Sequence, residues 1–125
     1  MSADDGAVEI VIIATNEGIV QVGVAGAVDD DATAQLRSLL GRLPVTVPVV
    51  IDLGDRPRPD AGELGQLLSL VRTASFDGRA IAISAADDDL RSRMTAIAFD
   101  RFARLTSTAD EGIAALTSPT SVQST

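Results

Sequence analysis

The segment Pro48-Val49-Val50-Ile51-Asp52-Leu53 constrains the fold more than any other part of the chain. It is short, rich in β-branched residues and almost wholly apolar, so the strand it forms has no face suited to water. Strands of this kind lie inside the sheet of an α/β domain, with both faces covered. The fold must therefore supply helices around a central strand at 48–53.

The flanking patterns agree. Ala7–Ala14 is a run of Val and Ile broken only by Glu9, which reads as a mostly buried strand. Thr15-Asn16-Glu17-Gly18 is a turn, with glycine available for a positive φ. Ile19–Ala25 alternates Val20, Val22 and Val24 with Gln21, Gly23 and Ala25, a half-buried strand that pairs with the first as an antiparallel hairpin. Asp31–Leu43 places Leu36, Leu39, Leu40 and Leu43 on one helical face, and Pro44 stops it. After the loop Gly54–Pro59, Asp60–Ala74 is a second amphipathic helix with Leu64, Leu67, Leu68 and Val71 inward. Arg79–Ser84 is a further apolar strand. A third helix, capped within Asp87–Asp89, runs to about Phe102, and Arg104–Thr106 is a brief strand. Thr108 and Glu111 stand at capping-box spacing before a last helix that ends near Leu116. The expected fold class is α/β, a mixed sheet of four or five strands with about four helices packed mainly on one face. At 125 residues the chain holds one such domain, 7–116, between a flexible N-terminus 1–6 and a flexible polar tail 117–125.

Composition removes whole classes of chemistry. The chain has no Cys, His, Lys, Trp or Tyr, and all ten basic residues are Arg. Zinc sites, disulfides, thiol nucleophiles, imidazole bases, Schiff bases and phosphate-loop lysines are all excluded. A net charge of −8 opposes nucleic-acid and anionic-membrane binding, and three Phe make a poor base-stacking platform. No apolar run is long enough to insert into a bilayer, and the acidic start Met1-Ser2-Ala3-Asp4-Asp5 is unlike a signal peptide. A cytoplasmic binding or regulatory domain is the expectation, with no cofactor and no catalysis.

Three segments in order resemble the STAS domain, the fold of bacterial anti-anti-sigma factors. Gly26-Ala27-Val28-Asp29, followed by a helix containing Thr33, resembles the Gly-Glu-apolar-Asp element. Val49-Val50-Ile51-Asp52-Leu53 resembles the central Val-Val-x-Asp-Leu strand. Asp60-Ala61-Gly62-Glu63-Leu64-Gly65-Gln66-Leu67-Leu68 is similar to the Asp-Ser-Ser-Gly-Leu-Gly-x-Leu-Leu signature without a gap. In phosphorylatable members the second Ser is the hydroxyl that an anti-sigma kinase modifies. Gly62 occupies that position here, after Ala61 and before Glu63. No Ser, Thr or Tyr occurs anywhere in 55–65, so phosphoryl transfer in this loop has no acceptor.

The residues around the signature have plain and functional readings. Asp60 is the natural N-cap of the second helix, and Asp29 has the same ambiguity. The resemblance would bring Asp29 and Asp60 to one acidic corner, but with no phosphate to serve, no metal is expected there. Asp29-Asp30-Asp31 and Asp87-Asp88-Asp89 precede helices and read as caps, not metal loops. Arg56 and Arg58, stiffened by Pro57 and Pro59, form either a solvated loop or a rigid fork aimed at an anionic partner group. On the second helix, with Leu64 taken as the centre of the buried face, Gly62, Glu63, Gln66, Ser69, Leu70 and Thr73 form an outward strip carrying a single charge. That is the face with which STAS proteins contact ATPase-type partners. The expected partner-binding set is Asp29, Arg56, Arg58, Asp60, Ala61, Gly62, Glu63, Gln66, Leu70 and Thr73.

The resemblance implies an anti-anti-sigma-like regulator that binds an anti-sigma factor of the histidine-kinase-like ATPase type. Lacking the acceptor, it would either bind constitutively or answer to another input. An alternative is the STAS subunit that docks on the ATPase of a lipid-trafficking ABC transporter. A third, of another class, is a carboxylate-metal enzyme using Asp29, Asp52 and Asp60. The oligomeric state, a homodimer included, stays open.

Overall fold

The computed structural model describes residues 9–14, 18–25, 30–54 and 61–117. Strands β1 (Glu9–Ala14) and β2 (Val20–Ala25) pair antiparallel, Glu9 opposite Ala25 and Ala14 opposite Val20. Gly18, with φ of 81°, supplies the left-handed backbone before β2. From β2 onward every neighbour is parallel: β3 (Val49–Gly54), β4 (Ile81–Ala85) and β5 (Arg104–Thr106) follow in order across one five-stranded sheet. Parallel neighbours need crossover connections, and α1 (Asp30–Arg42), α2 (Ala61–Phe76) and α3 (Asp88–Ala96) provide them.

The central strand is buried on both sides, as its composition requires. Val49, Ile51 and Leu53 meet Leu36, Leu40, Leu64, Leu67, Val71, Leu90 and Met94 on the face covered by α1, α2 and α3. Val50 and Ala82 point the other way, join Ile19, and are covered by α4 (Ala109–Thr117) through Ala109, Ile113 and Leu116. Three helices on one face and one on the other make the packing one-sided in the main. The close seat of α4 explains Gly112: a Cβ there would stand 3.1 Å from Val50 Cγ1 and 3.4 Å from Ala82 Cβ.

The third helix ends earlier than its sequence suggests. It stops at Ala96, Ala98 takes a left-handed φ of 72°, and a 3₁₀ turn spans Phe99–Arg101. The reason lies in Phe99. An unbroken helix would carry it about 140° around from Met94, toward solvent; the break turns it into the core, where it is fully buried. Burial of a Phe, about 1.5–3 kcal/mol, outweighs a left-handed alanine at roughly 1–2 kcal/mol.

Two caps were legible locally. The Asp87 carboxylate accepts from Asp89 N at 3.0 Å and opens α3, so this acidic run is a cap at its first residue. At α4, Thr108 Oγ1 accepts from Glu111 N at 3.1 Å, while the Glu111 carboxylate accepts from Ser107 N at 2.9 Å and Ser107 Oγ at 2.7 Å. The reciprocal pattern is a capping box shifted one residue outward. The Ser107 hydroxyl, then the Ser107 N–H, hold the Glu111 carboxyl below its ordinary value. A depressed carboxyl stabilises the fold above its unfolded-state pKa and loses that contribution as pH falls through the folded-state value. The stability difference between the natural chain and Glu111→Gln should therefore shrink as pH falls from about 5 to about 3; denaturant melts at several pH values measure it.

Candidate functional site

In open α/β sheets, sites form beyond the carboxyl ends of the parallel strands. Here that edge holds the ends of β2, β3 and β4 and the first turns of α2 and α3. The Gly54 N–H donates to Asp52 Oδ1 at 3.0 Å, and Gly54 turns the chain with φ of 67°. The Asp52 carboxylate thus closes the end of β3, where the β3–β4 register also slips between Asp52 and Gly54. Across the sheet, the fully buried Ser84 hydroxyl points at the same oxygen in a long 3.5 Å contact. Asp52 thus serves the backbone at the strand-to-loop junction. Among the described residues no three metal-ligating side chains converge.

The first turn of α2 presents Ala61 and Gly62 to solvent, with Glu63 half-buried behind them. Between this turn and the end of α3 lies an apolar hollow of about 300 Å³, lined by Ala61, Leu64, Arg93, Ala96 and Ile97. Sequence reading did not anticipate Ala96 and Ile97 here, because nothing local tells that the end of α3 lies beside the start of α2. Asp29, Arg56, Arg58 and Asp60, all expected at this edge, lie outside the described residues.

Farther along α2 the outward strip needs one correction. Leu70 is buried, 2% exposed, within the main core. The buried residues of α2 are Leu64, Leu67, Leu70, Val71 and Ala74; at about 100° per residue all lie within about 60° of Leu67, not of Leu64. Choosing Leu64 as the centre rotated the face by one ridge and threw Leu70 outward. The physical reason is that α2 packs on α1 as well as on the sheet, and Leu70 lies in that second contact beside Leu40 and Leu43. Gln66 is half-buried. What faces water is Ala61, Gly62, Gly65, Ser69 and Thr73, a stripe of small side chains with the exposed Arg72 and Phe76 beside its carboxyl end, and the Thr73 hydroxyl folds back to donate to Ser69 O at 3.0 Å.

These elements have a counterpart among solved structures. The crystal structure of an anti-sigma factor antagonist from Mycobacterium paratuberculosis superposes with a TM-score of 0.65 and 20% sequence identity, over 92% of this chain and 97% of that one. The chain has the STAS fold. No protein-family model matches the sequence and no curated protein does. At this identity the likeness speaks for architecture, and the residues must speak for function. Among the described residues no helix is long and apolar enough to cross a membrane.

Sequence reading also missed Arg79. Only 6% exposed, it donates from Nη1 to Pro44 O at 3.1 Å and Val47 O at 2.8 Å, and from Nη2 to Leu40 O and Leu43 O, both at 2.9 Å. One guanidinium caps the carboxyl end of α1 and pins the turn that leads into β3. Burial pushes its pKa down, and Asp77 partly offsets this. The fork geometry of arginine permits four carbonyl contacts from one side chain.

Proposed function

We propose that this protein is an anti-anti-sigma-like regulator that acts by binding an anti-sigma factor of the ATPase type, with no phosphorylation switch in its signature loop. One observation carries the reading: the first turn of α2, the docking element of the resembled family, presents Ala61 and Gly62 to solvent without any hydroxyl. The anti-sigma factor antagonist that shares its fold supports the same class of partner. Binding would use the stripe Ala61, Gly62, Gly65, Ser69 and Thr73, with Glu63 and Gln66 at its margin. Asp29, Arg56, Arg58 and Asp60 belong to the proposed contact as well. A surface of small side chains lets a partner's backbone approach closely and leaves little side-chain entropy to lose.

Gly65→Arg tests this without disturbing the core. A Cβ at Gly65 meets nothing within 4 Å, so the arginine projects outward. Replacing a mid-helix glycine should hold or raise stability, by up to about 1 kcal/mol. Affinity for an ATPase-type anti-sigma factor from the same bacterium, measured by calorimetry, should fall by roughly 30-fold or more as the bulky cation holds the partner off. With that partner and ATP, mass spectrometry should find residues 55–65 unmodified. Unchanged affinity in Gly65→Arg would remove the α2 stripe from the interface.

A further inference from the structure

We propose a second site at the opposite end of the helix layer: a pocket for a medium-chain aliphatic carboxylic acid between the carboxyl-terminal halves of α1 and α2. A cleft of about 330 Å³ opens there, which is within the range of small-ligand pockets. Its apolar wall is Leu40, Leu43, Leu70 and Ala74. Gly41 leaves the α1 side open, since a Cβ there would meet no atom within 4 Å.

The polar end of the cleft is cationic. Arg37 and Arg79 line it against a single carboxylate, Asp77. Arg37 makes no ion pair with a described residue. Arg79 is more telling. Its four Nη hydrogens are taken by carbonyls, while its Nε–H has no acceptor among the described residues. Among the described residues no buried side-chain nitrogen or oxygen lacks a partner, so this N–H reaches solvent, and Arg79 borders the cleft. A buried guanidinium with one donor left over at the end of an apolar wall matches a ligand with one anionic oxygen pair and a hydrocarbon body. The same guanidinium covers the carbonyls that end α1, so the negative end of that helix dipole does not face the ligand bare. This site shares Thr73 with the far end of the α2 stripe and otherwise uses different residues, and its test needs no protein partner.

Octanoate is the probe. In nitrogen–proton correlation spectra of the full chain, it should cause saturable shifts of the Arg79 Nε–H and of the Gly41, Leu70 and Ala74 amides, with a dissociation constant of roughly 0.1–1 mM. Octanol, which keeps the chain and loses the charge, should bind at least five-fold more weakly. Gly41→Leu places a side chain in the cleft while improving helix propensity; its melting temperature should hold or rise and octanoate affinity should drop at least ten-fold. Arg37→Gln, on the rim, should weaken octanoate and leave octanol unchanged. The proposal is overturned if shifts do not saturate, if they fall away from these residues, if a folded Gly41→Leu binds octanoate normally, or if octanol binds as well as octanoate.

Discussion

Arg79→Ala should lower the melting temperature by roughly 10 °C, an effect of about 3 kcal/mol in a domain of this size. The substitution removes one side chain and strands four carbonyls, those of Leu40, Leu43, Pro44 and Val47. Hydrogen bonds from a charged donor are worth about 1.5–3 kcal/mol each when buried, and carbonyls near the surface recover part of that from water. The turn between α1 and β3 should loosen first, because the Pro44 and Val47 carbonyls within it lose their charged donor. Arg79→Lys is the informative control. It preserves charge but offers a single ammonium that cannot fork across two pairs of acceptors, so it should recover less than half of the loss. Circular dichroism melts of the three proteins decide the matter. Equal melting of Arg79→Ala and the natural chain would mean that water serves those carbonyls as well as the guanidinium does.

Leu70→Asp should unfold the domain nearly as completely as Leu67→Asp. Both leucines are at most 2% exposed and belong to one core. An unpaired carboxylate there carries a desolvation penalty of at least about 4 kcal/mol beyond the lost apolar contacts, close to the lower limit of a small domain's total stability. Leu70→Ala separates cavity from charge and should cost about 2–4 kcal/mol. Chemical denaturation with fluorescence-free detection, such as far-ultraviolet dichroism, suits a chain without Trp or Tyr. A folded, cooperative Leu70→Asp would restore this residue to the surface strip and make Leu64 the centre of the buried face after all.

Local physics is legible in the sequence itself. The apolar run at 48–53 demanded a strand covered on both faces, and Val49, Val50, Ile51 and Leu53 are buried with helices on either side. The Asp87 cap and the Thr108–Glu111 pairing connect residues two to four apart, so a sequence window contains all their parts. The missing hydroxyl in 55–65 is likewise a fact of sequence, needing no geometry.

What tertiary structure decided lies between residues far apart in the chain. Leu70 is core because α1 lies against α2; a helical wheel treats a helix as having one buried direction, and α2 has two neighbours. Ala98 is left-handed because Phe99 must reach the core, a requirement that the local pattern of α3 does not contain. Arg79 finds its acceptors 32 to 39 residues away. Only the folded chain brings four carbonyls to one guanidinium and sets that residue beside a cleft. Helix, strand and cap follow from short-range sterics and hydrogen bonding, which the sequence states directly; which face is buried twice, and which charge is buried at all, follows from the packing of distant segments.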